Sequence, residues 1–250
     1  MGLKEELEQQ GIWLFKYRGI LPIIVLFIGL GIYTHSLLYP TEPISEVIFT
    51  IDYYIYFCLF ISLLGQAIRV YTVGYTPENT SGRNTEEQVA DTLNTSGIYS
   101  TVRHPLYLGN FFMWLGPAML TGNVWFVIAF CLFYWVYYER IMYAEEQFLT
   151  RKFTQTYVDW ASQIPAFIPS KENFKAPKLN FSWKKVIKKE KNGFAAIFII
   201  FAIFDVIGNL IVYNKELNGF LIGSCIVTSI IYLILKYMKN NTTLLNESGR

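Results

Sequence analysis

Long apolar blocks alternate with shorter polar connections along the chain. Each block approaches the roughly 20 residues that a helix needs to cross the hydrocarbon core of a bilayer. Only helices and closed barrels satisfy their backbone groups in lipid, and uninterrupted apolar runs are typical of helices. The pattern therefore predicts an all-α, polytopic membrane protein with six transmembrane helices. The blocks are Ile20–Leu38, Phe49–Val70, Pro105–Thr121, Val124–Tyr143, Phe194–Tyr213 and Phe220–Met238.

The composition agrees with a membrane protein. Hydrophobic residues make up 53% of the 250 residues and charged residues only 16%, whereas soluble domains carry about 25% charged residues. No internal repeat is visible, so we predict a single membrane domain over residues 1–250. Two histidines lie far apart and three cysteines lie in different blocks, so we expect neither a metal site nor a disulfide framework. We also expect no nucleic acid partner.

Lysines and arginines concentrate in alternate connections. They precede the first block, are absent from the loop PTEPISE after it, and return after the second block. They are absent again from the turn between the third and fourth blocks and dense after the fourth. The positive-inside rule then places both chain ends and the basic connections in the cytoplasm. Because the composition is rich in Ile, Lys, Asn and Phe, we expect a bacterial inner (cytoplasmic) membrane.

Two of the cytoplasmic stretches, residues 71–104 and 144–192, are longer than simple connections require. The second carries an apolar stripe at helical spacing, which predicts a cytoplasmic amphipathic helix that covers the site or lies on the membrane. The basic segment KLNFSWKKVIKKEKNGF that follows is expected to contact anionic lipid headgroups. The stripe consists of Leu149, Phe153, Tyr157, Trp160 and Ile164.

The third and fourth blocks form a predicted antiparallel hairpin, because only a short turn at residues 122–123 separates them. Pro105 suits the first position of a helix, since that position needs no N–H partner. The hairpin brings Arg103 and His104 to the same cytoplasmic mouth as residues 140–146. Such a mouth can admit a water-soluble cofactor from the cytosol and a lipid headgroup from the side. The alternative is that these groups are interfacial charges within an aromatic belt.

Two motifs flank this hairpin. The first has a Gly and a Tyr ahead of Arg-His-Pro, followed by a Tyr and a Gly. The second is a Glu-Glu pair followed by Leu, Phe, Tyr and a proline-rich close. In these motifs, over about residues 65–170, the chain resembles the isoprenylcysteine carboxyl methyltransferase family, which includes phospholipid methyltransferases; Thr154 stands where that family often has a glycine. The motif residues are Gly97, Tyr99, Arg103, His104, Pro105, Tyr107, Gly109, Glu145, Glu146, Leu149, Phe153, Tyr157 and Pro165 to Pro169.

The resemblance implies a methyltransferase that uses S-adenosylmethionine without a Rossmann fold. The sequence contains no glycine-rich dinucleotide fingerprint after a strand-like run. In the family, the cofactor contacts come from the segment before the motif tyrosine, the His-Pro-x-Tyr stretch and the Glu pair. The expected cofactor-binding residues are therefore Asp91, Thr92, Leu93, Asn94, Tyr99, His104, Pro105, Leu106, Tyr107, Glu145 and Glu146.

The resemblance also implies an arginine shortly before the Glu pair that faces the acceptor, and Arg140 is the nearest candidate. An arginine fork can orient an anionic acceptor, and a carboxylate can hold cofactor hydroxyls or an ammonium group. We expect Arg140, Glu145 and Arg103 to act in catalysis. Arg69, Arg83 and Arg140 are the expected substrate-binding residues.

The acceptor is expected to be a membrane lipid with an anionic headgroup. Several arginines on the cytoplasmic side favour a phosphate, and the extended first motif looks most like bacterial members that methylate lipid phosphates, including that of lipid A. An isoprenylcysteine-type carboxylate, a phosphatidylethanolamine-type nitrogen and a thiol or small acceptor are the alternatives.

Two other classes of protein stay open. A nicotinamide-dependent membrane reductase is distantly related to the family. A transporter or scaffold is the non-enzymatic alternative, favoured by Asp205 with Asn209 inside the fifth block, because an acid within a span often marks a pathway. We favour a helix–helix hydrogen bond with Asn209, or a protonated Asp205, because one acid without a basic partner in the other spans makes a poor relay.

Overall fold

The computed structural model describes residues 2–39, 53–80, 89–211 and 216–250. Over these ranges the secondary structure is helical, apart from one isolated β-bridge between Gly97 and Lys175. The all-α prediction is therefore confirmed. The helices are α1 (Leu3–Tyr17), α2 (Leu21–Leu38), α3 (Tyr54–Gly74), α4 (Pro105–Leu120), α5 (Val124–Phe153), α6 (Gln155–Ala161), α7 (Trp183–Ile211) and α8 (Gly219–Asn241).

Five of these helices, α2, α3, α5, α7 and α8, are long and apolar enough to cross a membrane. Helix α4 has 16 residues. At a rise of about 1.5 Å per residue, it is shorter than the thickness of a typical hydrocarbon core. It is nevertheless packed between α3 and α5 as the predicted hairpin requires. The described helices are consistent with the six-span count, which stays a prediction.

Several helix boundaries differ from the predicted blocks. Helix α5 continues past Tyr143 to Phe153, so the predicted amphipathic segment is divided between the end of α5 and the short α6. Helix α7 begins at Trp183, well before Phe194, because the basic segment is itself helical. Helix α1 was not predicted from the apolar pattern, since its sequence is mostly polar.

Close packing of α3 against α4 depends on glycines. A Cβ added at Gly65 would lie 2.4 Å from the carbonyl oxygen of Gly109, and one added at Gly116 would lie 2.1 Å from Ser62 Oγ. Small residues let two helix backbones approach in this way inside a membrane. The approach brings the side chains of α3 across the first turns of α4.

The remaining helices pack on this pair or on its neighbours. Helix α1 lies against α5, where a Cβ at Gly11 would be 2.1 Å from the carbonyl oxygen of Arg140. Helix α7 packs against α3 and α8. The buried Asp205 of α7 accepts a hydrogen bond of 2.8 Å from the backbone N–H of Asn218, the residue that caps α8. The acid inside the fifth block thus has a structural partner at the start of α8.

Candidate active site

His104 lies between two carboxylates at the start of α4. Its Nε2 is 2.9 Å from Glu146 Oε1, and its Nδ1 is 3.6 Å from Glu145 Oε2. Only 5% of the histidine side chain is exposed. Burial opposes protonation of the ring, but hydrogen bonds and charges from both glutamates outweigh it and raise the pKa of His104 to about 8. The two glutamates therefore hold a mostly protonated imidazole at neutral pH.

The proline-rich close of the second motif fixes the first motif in place. The backbone N–H of Arg103 donates to the carbonyl oxygen of Pro165 at 2.9 Å, and that of His104 donates to Ala166 at 3.2 Å. The Arg103 side chain forms an ion pair with the same carboxylate that binds the histidine, with Nε 3.0 Å from Glu146 Oε1. Two segments distant in sequence thus meet through both main-chain and side-chain contacts.

Tyr107 joins this charged cluster to an aromatic wall. Its hydroxyl donates to Glu145 Oε2 at 2.9 Å, and its ring stacks on His104 with centroids 5.6 Å apart. The hydroxyl of Tyr134 donates to the backbone carbonyl of Tyr107 at 2.7 Å. The ring of Tyr138 lies 4.9 Å from that of Tyr107. Glu145 belongs to α5, and Tyr107 of α4 also binds its carboxylate. Both helices of the hairpin therefore position Glu145.

Arg69 approaches the aromatic wall from α3. Its Nη1 donates to Asn110 Oδ1 at 2.8 Å, and Asn110 Nδ2 lies 3.5 Å from the hydroxyl of Tyr138. Its Nε and Nη2 donate to the two carboxylate oxygens of Glu190, each at 2.8 Å. An arginine predicted to bind substrate thus lies next to the hairpin, held by side chains from α4 and α7.

Tyr99 lies close enough to Glu145 and to Arg69 for both charges to act on its hydroxyl. Burial and the charge of Glu145 raise the pKa of the Tyr99 hydroxyl above its usual range, while the charge of Arg69 acts in the opposite direction. The predicted residues His104, Tyr107, Glu145, Tyr99 and Arg69 are therefore brought to one place.

Arg140 has different neighbours. Its Nη1 lies 3.0 Å from Glu139 Oε2, and its Nε lies 3.3 Å from Gln10 Oε1 of α1. Successive helical residues are rotated by 100°, so a residue five positions before Glu145 lies roughly 140° away around the helix. Gln10 belongs to α1 and Glu139 to α5 itself, so neither contact joins Arg140 to the cluster at Glu145. The role of Arg140 toward the acceptor stays a prediction.

The other predicted residues are placed as follows. Pro105 is buried at the first position of α4, and Leu106 follows it there, partly buried. Thr92, Leu93 and Asn94 lie in a non-helical segment and are exposed or partly exposed. Asp91 of the same segment accepts a 2.8 Å hydrogen bond from Asn79 Nδ2. Arg83 lies outside the described residues.

Sequence reasoning gave no role to Asn110 or Glu190, and it named Trp160 only as part of the amphipathic stripe. Asn110 directly follows the last glycine of the first motif, but nothing in the pattern gave it a role. Glu190 is a single acid within a lysine-rich segment, and nothing in that segment indicated a role for it. The indole N–H of Trp160 is buried and has no acceptor among the described residues, and its helix α6 contacts the first motif where Arg103 Nη1 donates to the carbonyl of Ala161 at 2.6 Å.

The groups at this site fit S-adenosylmethionine, which carries an ammonium, a sulfonium, ribose hydroxyls and a carboxylate. The carboxylates of Glu145 and Glu146 keep 32% and 23% of their side-chain surface exposed, which suits hydroxyl or ammonium partners. The Trp160 indole N–H, buried and without an acceptor in the described part of the chain, is a further donor beside Tyr157. Within the described ranges, no group of three metal-ligating side chains converges.

Part of the chain matches a known protein family. Residues 53–156 match the family model described as phospholipid methyltransferase. The predicted family resemblance is confirmed. The matched residues include both glutamates, His104, Arg69 and the α4–α5 hairpin, whereas α7 and α8 lie beyond them. No solved structure matches the chain.

The chain is similar to several curated proteins over part of its length. It is 40% identical over 78 residues to a protein-S-isoprenylcysteine O-methyltransferase of Schizosaccharomyces pombe, covering 31% of this chain and 33% of the relative. A Tribolium castaneum protein of the same name is 30% identical over 118 residues, or 47% of this chain and 42% of the relative. The nickel-cobalt-cadmium resistance protein NccN of Alcaligenes xylosoxydans xylosoxydans is 32% identical over 96 residues, or 38% and 42%. The matches thus span less than half of each relative.

Proposed function

We propose that this protein is an integral membrane, S-adenosylmethionine-dependent O-methyltransferase. Its acceptor is an anionic oxygen on a lipid or a lipid-modified molecule. The observation that carries the proposal is the junction of His104 with Glu145 and Glu146 beside Arg69, inside the segment that matches the phospholipid methyltransferase family. A charged, partly exposed cluster next to membrane-spanning helices suits a soluble cofactor and a lipid acceptor together.

The chain's own residues would bind and align the two reactants. S-adenosylmethionine, when bound, supplies an electrophilic methyl group on a cationic sulfonium. Glu145 and Glu146 would hold its ammonium or ribose hydroxyls, and the protonated His104 fixes the orientation of both carboxylates. Alignment of the reacting atoms and exclusion of water are the main contributions that such a displacement requires.

Arg69 is the arginine that we assign to the acceptor. Three of its five N–H groups are used by Glu190 and Asn110, which leaves one on each terminal nitrogen for an anionic oxygen. A carboxylate or a phosphate is already ionised at neutral pH, so no general base is needed. A guanidinium fork matches either group.

The relatives favour a carboxylate over the lipid A phosphate that the sequence alone suggested. Two of the relatives described above are named for O-methyl transfer to S-isoprenylcysteine, whose free oxygens belong to its carboxylate. The phosphate and the phosphatidylethanolamine-type nitrogen remain as outcomes of the test.

The test uses purified protein in detergent with methyl-labelled S-adenosylmethionine. The acceptors are N-acetyl-S-farnesylcysteine, phosphatidic acid, lipid A and phosphatidylethanolamine, each in a separate reaction. We expect label on the farnesylcysteine as a base-labile methyl ester. Glu145→Gln and Glu146→Gln should each weaken binding of S-adenosylhomocysteine, whereas Glu139→Gln, on an exposed carboxylate of the same helix, should not. Absence of both cofactor binding and labelling would refute the proposed function.

We further propose that the site faces the cytoplasm of a bacterial inner membrane, as the distribution of basic residues indicates. Glu172 is exposed in the segment that follows α6, and Glu172→Cys gives a chemical handle on that side. An impermeant maleimide should label this cysteine only after spheroplasts are opened. Labelling of intact spheroplasts, beyond that of the unsubstituted protein, would reverse the orientation.

A further inference from the structure

A carboxylate from α7 binds Arg69 in a fork-to-fork geometry. Glu190 accepts from Arg69 Nε and Nη2 with both of its oxygens at 2.8 Å. Gln66 Nε2 lies 3.3 Å from the same carboxylate. Only 5% of the Glu190 side chain and 17% of the Arg69 side chain are exposed. This is a buried, bidentate ion pair of the kind that fixes both partners in direction.

The contact joins parts of the chain that are far apart in sequence. Arg69 belongs to the family-matched segment, whereas Glu190 lies beyond its end at residue 156. Helix α7 packs along α3 at this level, where a Cβ added at Gly193 would lie 3.0 Å from Gln66 Oε1. The family-matched segment therefore contains an arginine whose partner is supplied by a helix outside it.

Glu190 also determines which edge of Arg69 remains available. It occupies Nε and one N–H of Nη2, while Asn110 occupies one N–H of Nη1. The remaining two N–H groups lie on the terminal nitrogens, and Asn110 connects that end to Tyr138 of the aromatic wall. Without Glu190 the guanidinium could rotate about its long side chain, and its charge would be left without a buried counterion.

We infer that Glu190 is the positioning residue for the acceptor arginine, so that α7 completes the acceptor side of the site. The inference rests on the proposed function, because it assumes that Arg69 orients an anionic acceptor. Glu190 does not touch the acceptor; it acts through Arg69. The chemical class that this arrangement favours is a pair of anionic oxygens, on a carboxylate or a phosphate, bound by the N–H groups that remain on the two terminal nitrogens.

The main experiment compares Glu190→Gln with wild type in steady-state methylation of the best acceptor. We expect kcat/KM for the acceptor to fall on the order of 100-fold, since small misplacement of a binding group has effects of that size. Affinity for S-adenosylhomocysteine should stay within a few-fold of wild type. Glu190→Asp should recover part of the loss, because it keeps the charge but shortens the reach.

The matched control is Asp205→Asn, which removes the other buried carboxylate of α7. Its carboxylate accepts from the backbone N–H of Asn218, the N-cap of α8, so its loss tests general damage to α7 without touching Arg69. We expect Asp205→Asn to lower thermal stability and leave kcat/KM for the acceptor unchanged among folded molecules. An equal loss of kcat/KM in this control would mean that Glu190 is merely structural.

A double variant separates positioning from an independent role. If Glu190 acts through Arg69, Arg69→Gln and Arg69→Gln/Glu190→Gln should have the same residual activity, because removal of the first partner already removes the effect of the second. Additive losses would overturn the inference. Wild-type activity of Glu190→Gln would also overturn it while leaving the proposed function intact, whereas inactivity of the wild-type protein toward every acceptor would count against the proposed function itself.

Discussion

The side chain of Arg69 crosses α4 at Gly109, where an added Cβ would lie 2.5 Å from Arg69 Cγ. The same Cβ would lie 2.9 Å from the carbonyl oxygen of Gly65. Gly109, the second glycine of the first motif, therefore serves two purposes at once. It lets α3 and α4 approach each other, and it leaves the path along which Arg69 reaches Asn110 and the aromatic wall.

We predict that Gly109→Ala displaces Arg69 and loosens the α3–α4 contact. Overpacking of this kind costs about 1–3 kcal/mol of folding free energy, which thermal unfolding in detergent can measure. Turnover should fall as well, because Arg69 is the residue displaced. Gly223→Ala in α8 is the control, since a Cβ there meets nothing within 4 Å and should be neutral or stabilising by about 0.5–1 kcal/mol. Similar behaviour of the two variants would contradict the packing argument.

The elevated pKa of His104 predicts a pH-dependent stability. Because the pKa of His104 is raised from 6.5 to about 8 in the folded state, protonation stabilises folding below the unfolded pKa. The contribution amounts to about 2 kcal/mol for a shift of this size. It should be fully present below pH 6.5 and disappear as the pH rises through about 8. Thermal unfolding midpoints between pH 6 and pH 9 give the measurement.

The control for this titration is His104→Asn, which retains a polar group but does not titrate. Its stability should be lower than that of wild type at pH 6 and nearly equal to it at pH 9. The step near pH 8 should be missing. An unchanged step in His104→Asn would assign the titration to another group.

Thr154 occupies a backbone conformation that favours glycine. Its φ of 49° and ψ of −130° are unusual for a β-branched residue, which is sterically strained in this region. We predict that Thr154→Gly raises stability by about 1 kcal/mol, the strain relieved less the greater chain entropy of glycine. The resulting increase in the unfolding midpoint is the measurement. Asn79, with φ of 57°, gives a comparison, because asparagine tolerates this region and Asn79→Gly should gain less.

Two arginines compete for the role of acceptor ligand. Arg69 lies beside Asn110 and Glu190, whereas Arg140 contacts Glu139 and Gln10. We predict that Arg69→Lys lowers turnover by about 30-fold or more, because loss of a bidentate contact to a desolvated anion costs about 2–5 kcal/mol. Arg140→Lys should change turnover only a few-fold. Initial rates at saturating cofactor provide the comparison, and the reverse order would return the role to Arg140.

The sequence by itself was enough to predict much of the scaffold. The apolar blocks predicted the long membrane helices, though not α1 or α6, since membrane length and backbone satisfaction leave few alternatives. The short turn at residues 122–123 required α4 and α5 to be antiparallel, and so predicted that His104 would lie near Glu145 and Glu146. These are local constraints, and local constraints can be read from spacing.

Only the tertiary structure decided how the helices are rotated and which of them meet. Arg140 precedes Glu145 by five residues, yet it faces α1, because rotation about the axis of α5 separates the two side chains. Glu190 was one acid in a basic segment until the packing of α7 on α3 brought it to Arg69. Asp205 contacts Asn218 rather than a residue on its own helix. Which residues become partners depends on how side chains pack between helices. The spacing of residues along one helix does not indicate which helix lies beside it.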